Sequence, residues 1–284
     1  LHTPIPWMLG PLLATAVASL AGAPTDSWAP LRNGGQWVIG TALGLYFTPQ
    51  VGALVAGLWW AIVLGIAWAL LLGWGFGRWL QRVHGHHLGG PSGMTPAGLR
   101  ATTYFAGAIG GASEMTLLAE RAGARTDLVA SAHSLRVLLV TVVIPFGMAF
   151  WGVSGLDLAP PGVREVAWPG LAGLALLTLG GALLAQWLGR ANPWFMGALL
   201  VTMALTLSGI TLSAIPQPLS NAAQLVIGVS LGVRFTPAFV HTAPRWLASV
   251  AFASFFMMGL CAVFGWVLSR LTGLHPATLL LGTA

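Results

Sequence analysis

Arg136 stands in the run Ser131-Ala132-His133-Ser134-Leu135-Arg136-Val137-Leu138, inside an apolar segment near residues 128–152. A guanidinium about eight residues into a helix sits roughly 12 Å along its axis. Insertion scales put a mid-span arginine at about +2.5 to +3.5 kcal/mol. A partner, a wet cavity or a ligand usually offsets that cost, so the residue is a candidate for binding an anion. Snorkelling toward the membrane face is the structural alternative. Asp127 and Glu114 are the expected carboxylate partners, a substrate carboxylate is another, and His133 shares the helical face at i−3.

The second constellation is Gly110-Gly111-Ala112-Ser113-Glu114-Met115. Two glycines leading into Ser-Glu suit the tip of a hairpin and the start of a half-helix, where unpaired N–H groups and the positive dipole end favour an anion. Ser113 is placed to cap that helix and to hydrogen-bond a ligand. Glu114 is a candidate for binding a coupling cation or carrying a proton. Ordinary cap-and-dipole pairing is the alternative, although the chain has only six acidic residues.

A third set is duplicated. Gln36-x-Val38-Ile39-Gly40-x-x-Leu43-Gly44-x-x-Phe47-Thr48-Pro49 returns 188 positions later as Gln224-x-Val226-Ile227-Gly228-x-x-Leu231-Gly232-x-x-Phe235-Thr236-Pro237. Pro6-Trp7-x-x-Gly10-x-Leu12-Leu13 returns as Pro193-Trp194-x-x-Gly197-x-Leu199-Leu200, offset by 187. The glycines form small-xxx-small faces that let helix backbones approach; plain helix packing is one reading, and short glycine-interrupted segments at matching positions also point to a transporter site. Thr48-Pro49 and Thr236-Pro237 end each helix, since proline disfavours helix at the preceding residue. Gln36 and Gln224 add a polar amide at each helix start, open to ligand contact, capping or interface exposure. His84-x-His86-His87 has ligand-like residues, but a glycine-rich loop gives it no fixed geometry. No catalytic His/Glu or Cys/His spacing and no phosphate-binding loop occurs elsewhere. Cys261 is the single cysteine, which excludes an internal disulfide.

Positioning these residues is the task of a hydrocarbon scaffold. Hydrophobic residues make up 56% of the chain and charged residues 6%, and the mean hydropathy is +0.83. Soluble domains carry about 25% charged residues, so the chain is a polytopic helical membrane protein; the short alternating segments of a barrel are absent. The formal charge of +6 forms no basic stripe, and nucleic-acid binding is not expected. Apolar runs predict spans near 6–22, 34–47, 51–77, 128–152, 166–188, 193–210, 218–233 and 246–269, with 99–125 as a re-entrant hairpin. With that hairpin, Arg32, Arg78, Arg82, Arg100, Arg121, Arg125, Arg190, Arg234 and Arg245 fall on one side and Arg164 and Arg270 on the other. The positive-inside rule makes the first side cytoplasmic.

The expected fold is all-α, two inverted repeats of about five transmembrane helices plus a re-entrant hairpin each. Repeat 1 covers 1–153 and repeat 2 covers 166–284, with 154–165 between them. The first helix of repeat 1 and the C-terminal part of repeat 2 are expected to lie outside the sequence.

The stretches Pro6-Trp7-x-x-Gly10-Pro11, Gly40-x-x-Leu43-Gly44, Gly110-Gly111-x-Ser113-Glu114-Met115 and Ser134-Leu135-Arg136-Val137-Leu138 resemble the AbrB-type duplicated membrane proteins, often labelled ammonia monooxygenases. The glycine pair is commonly preceded by proline in that family, whereas Ile109 stands here. Some relatives look like carriers of acidic amino acids, which fits an arginine, a helix N-terminus and paired amides facing an anion. The monooxygenase label lacks a copper or iron ligand set here, and nothing resembles a DNA-binding element.

Internal repeats with a site at their interface are a common build of secondary transporters. The expectation is a secondary transporter of small anionic solutes, acidic amino acids or other carboxylates, rather than an enzyme. It would reside in the inner membrane of a bacterium, coupled to protons or sodium, with no cofactor. Gly110, Gly111, Ser113, Arg136, Gln36, Gln224, Thr48 and Thr236 would bind substrate, and Glu114 and Asp127 would carry coupling. A homodimer is compatible with the glycine-rich faces. The competing classes are a non-transporting membrane sensor or regulator and, further off, a membrane monooxygenase.

Overall fold

Prolines punctuate the chain. Eight helices begin with proline at the first or second position, where the missing N–H is not needed and the fixed φ already suits a helix. The computed structural model describes residues 6–88, 94–150, 165–235, 237 and 244–273. Among them the regular structure is entirely helical: α1 (Pro6–Leu20), α2 (Ala29–Gly44), α3 (Pro49–Gly57), α4 (Trp59–Leu88), α5 (Pro96–Gly107), α6 (Ala112–Arg121), α7 (Thr126–Phe150), α8 (Trp168–Trp187), α9 (Pro193–Leu207), α10 (Gln217–Gly232) and α11 (Pro244–Thr272). Trp59–His86, Thr126–Met148, Trp168–Trp187 and Pro244–Thr272 are long and apolar enough to cross a bilayer. The chain is an all-α, multi-pass membrane protein.

Three boundaries differ from the sequence expectation. Gln36 and Gln224 do not start helices: α2 begins at Ala29 and α10 at Gln217, so each amide lies on the helix's third turn, where it cannot cap. Thr48-Pro49 opens a helix rather than closing one. The Thr48 hydroxyl accepts from the Val51 N–H at 3.4 Å, and Pro49 is the first residue of α3. Helices α2 and α3 meet at 80°, a broken segment. The expected span 51–77 is split at Leu58, and α4 continues to Leu88. His84, His86 and the backbone of His87 therefore belong to a helix and not to a loop. Buried His84 is 2.9 Å from the Ser249 hydroxyl and edge-on to Trp246.

The helices form two compact units, Leu1–Leu58 with Ser154–Thr236, and Trp59–Val153 with Pro237–Ala284. Each takes segments from both sequence repeats.

In the first unit α1 packs on α10, α2 on both α9 and α10, and α8 on α9. The duplicated glycines sit at these crossings. A side chain at Gly40 would strike the Phe195 carbonyl, and one at Gly228 the Met8 carbonyl. At Gly44 it would meet Thr202 and, at 3.0 Å, the Leu199 carbonyl; at Gly232 it would meet the Cβ of Thr15 and the Leu12 carbonyl, both at 2.7 Å. Phe195, Leu199 and Thr202 are the counterparts of Met8, Leu12 and Thr15 at offset 187. Each glycine face thus packs on the Pro-Trp helix of the other repeat. Exchanging the repeats maps one contact set onto the other, a two-fold relation. Gly35 faces its own counterpart, Ala223, where α2 crosses α10.

In the second unit α4, α5, α6, α7 and α11 enclose a core that includes Phe76, Leu80, Leu128, Val129, Trp246 and Val250. The Trp246 indole N–H donates to the Leu128 carbonyl at 3.1 Å, which fixes α11 to the start of α7.

Candidate functional site

Segment 99–125 forms two short helices, α5 and α6, of 12 and 10 residues. At 1.5 Å per residue they reach about 18 and 15 Å, each too short to span a bilayer core of about 30 Å. They double back on each other. The Arg125 N–H donates to the Thr102 hydroxyl at 3.0 Å, and a side chain at Gly98 would stand 3.1 Å from the Gly123 carbonyl. Both ends of the hairpin therefore lie together, and Ala108 to Gly111 form its tip.

That tip carries two helix ends. Helix α5 stops at Gly107, leaving its last carbonyls without helical donors. Arg136 and His133, one turn apart on α7, supply them. The Arg136 guanidinium donates to the Gly107 carbonyl at 3.2 Å and to the Ala108 carbonyl at 2.8 Å. His133 Nε2 lies 2.8 Å from the Phe105 carbonyl, and its Nδ1 lies 2.9 Å from Arg136 Nη2. A carbonyl only accepts and a guanidinium only donates, so the ring is the Nε2–H tautomer with Nδ1 accepting from arginine. His133 is buried, and this pair of bonds fixes its plane.

Arg136 was expected to pair with Asp127 or Glu114. It pairs with neither: among the described residues no carboxylate lies within ion-pair distance of it. Asp127 is ion-paired with Arg125 in an exposed position, and the hydrogen bond that Arg125 donates to Asp127, together with the carboxylate's charge, raises the Arg125 guanidinium above its ordinary value. Two residues of separation at the mouth of α7 favour that local pair over one nine residues further along the helix.

Arg136 and His133 border a cavity of about 220 Å³ within the second unit. Ile109 and Gly110 of the tip, Val137, Val140 and Thr141 of α7, Leu72 of α4, and Ser254, Met257, Met258 and Cys261 of α11 complete its wall. A guanidinium, an imidazole, the hydroxyls of Thr141 and Ser254 and a helix break inside a mostly apolar wall are the chemistry that suits a small anion with an apolar portion.

Gly111 is the N-cap residue of α6, so Ser113 is not the cap but lies in the helix's first turn, followed by half-buried Glu114. Gly110, Gly111, Ser113, Glu114, Asp127 and Arg136 all belong to the second unit, and Gln36, Gln224 and Thr48 to the first. Thr236 lies outside the described residues. Sequence reasoning missed the α11 wall, because Ser254 and Cys261 are unremarkable letters in an apolar run. It also missed the bridging role of His133, whose only signal was its spacing from Arg136.

Among the described residues no three of His, Cys, Asp and Glu gather as metal ligands would. No curated protein and no solved structure matches the chain. A family model described as "Transition state regulatory protein AbrB" matches residues 7–284. With nearly its whole length matched, the chain belongs to the AbrB family.

Proposed function

We propose that the chain is a secondary transporter of small anionic solutes, with acidic amino acids and other carboxylates as its substrate class, and not an enzyme. The observation that carries this reading is the Arg136 guanidinium: it lies mid-helix, borders a mostly apolar cavity, and has backbone carbonyls and His133 but, among the described residues, no carboxylate for company. A permanent charge in such a place is favoured when an anion completes it. The broken hairpin supports the same reading, since half-helix ends facing a cavity are a recurring transporter site. Glu114, in the first turn of α6, is the proposed coupling residue. The two units, each drawn from both repeats, are the bodies that alternating access would move.

The test is uptake of labelled glutamate, aspartate and dicarboxylates into proteoliposomes under imposed proton or sodium gradients. Arg136→Ala should lower uptake roughly 30-fold or more, the low end of the cost of truncating one partner of a buried charged hydrogen bond. Arg136→Lys should fail nearly as badly, because an ammonium cannot span two carbonyls, an imidazole and a substrate as the planar fork does. Glu114→Gln should bind substrate yet lose gradient-driven accumulation.

The family's description favours a second reading, a membrane regulator or sensor. Saturable binding lost in Arg136→Ala, with no accumulation in vesicles of correctly folded protein, would select it.

A further inference from the structure

A second polar cleft lies apart from the Arg136 cavity, along the line where α4 meets α5. Their backbones approach because glycines line the seam: a side chain at Gly77 would stand 3.0 Å from the Thr103 carbonyl, and one at Gly107 would stand 2.7 Å from the Gly73 carbonyl. Beside this seam opens a cleft of about 340 Å³ lined by Trp74, Arg78 and Gln81 on α4 and by Arg100, Thr103 and Tyr104 on α5. The spacings i, i+4, i+7 and i, i+3, i+4 place each trio on one helical face.

Two guanidiniums therefore share one groove. Arg78 lies over the Trp74 ring at 5.4 Å from its centroid. Among the described residues no acidic side chain lines the cleft, and neither Arg78 nor Arg100 has an ion-pair partner there. Below Arg78, Ile66, Leu70 and Trp74 repeat every four residues and are 56%, 64% and 58% exposed, an apolar track along the same side of α4. Trp74 and Tyr104 have the amphipathic rings that collect at headgroup level. Guanidinium pairs match phosphate geometry, and basic pockets between membrane helices suit anionic headgroups.

We infer that the α4–α5 cleft is a binding site for the phosphodiester headgroup of an anionic phospholipid, held by Arg78 and Arg100, with its acyl chain along Ile66, Leu70 and Trp74. The track distinguishes a lipid from a soluble phosphate, which would need no apolar extension.

The test is native mass spectrometry of the full chain in detergent, titrated with phosphatidylglycerol, phosphatidylcholine or inorganic phosphate. The expected result is selective retention of phosphatidylglycerol, weakened roughly 30-fold in the Arg78→Ala/Arg100→Ala double variant at the usual worth of two surface arginines. Arg78→Lys/Arg100→Lys should recover most of it, while Arg190→Ala should bind as the wild type does. Should the alanine pair fail to fold by circular dichroism, Arg78→Gln/Arg100→Gln serves, since it keeps size and polarity. Equal retention of the two lipids, or unchanged binding in the charge-removed variant, overturns the site. Displacement of phosphatidylglycerol by millimolar inorganic phosphate overturns the lipid assignment in favour of a soluble anion.

Discussion

At the scale of single residues, the His133–Arg136 pair ties α7 to the end of α5 through three carbonyls, and the His133 Nδ1 joins the two side chains to each other. His133→Ala would leave the Phe105 carbonyl and one arginine N–H without partners. Buried groups stripped of partners cost about 1–3 kcal/mol each, so the variant should unfold measurably earlier in a detergent thermal melt. The Arg125–Asp127 pair belongs to a different class. It is exposed, and exposed pairs contribute about 0–1 kcal/mol. Asp127→Asn should leave both melting and uptake within error of wild type, and a loss of uptake would return Asp127 to the coupling machinery. The sequence made Arg136 visible because a charge in an apolar run is an energetic anomaly on its face. Its partners were not visible, because backbone carbonyls have no letter of their own.

At the scale of elements, the two-fold pairing of glycine faces with Pro-Trp helices makes the effects of substitutions correspond. Gly40→Ala and Gly228→Ala drive a methyl into equivalent carbonyls, those of Phe195 and Met8. Overpacking of this kind typically costs about 1–3 kcal/mol. The two variants should therefore lower the melting temperature of the detergent-solubilised protein by similar amounts, and a large asymmetry would break the two-fold reading. The repeat itself was legible from fourteen matched positions, and so was the hairpin, since glycine pairs and charges interrupt 99–125 too often for a span. The direction of the Thr48-Pro49 punctuation was not. Proline disfavours helix at the residue before it, yet the same dipeptide suits both the end of one helix and the N-cap of the next. The hydrogen bond from the Val51 N–H to the Thr48 hydroxyl settles that it serves α3.

At the scale of the whole molecule, sequence repeats and compact units are different partitions of one chain, since each unit draws helices from both repeats. Residues 1–153 expressed alone should not yield a stable unit, whereas coexpressing them with 154–284 should restore one that survives size-exclusion chromatography. That interleaving was hidden because a linear pattern tells which segments are alike but not which pack together. It also sets a schedule for biosynthesis. The partner of helix α1, α10, lies about two hundred residues after it, roughly 10 to 40 s of translation at 5–20 residues per second. Through that interval the helix surface reserved for Gly228 and Gly232 faces lipid or the insertion machinery. Helix α1 is thus seated only long after it has been made.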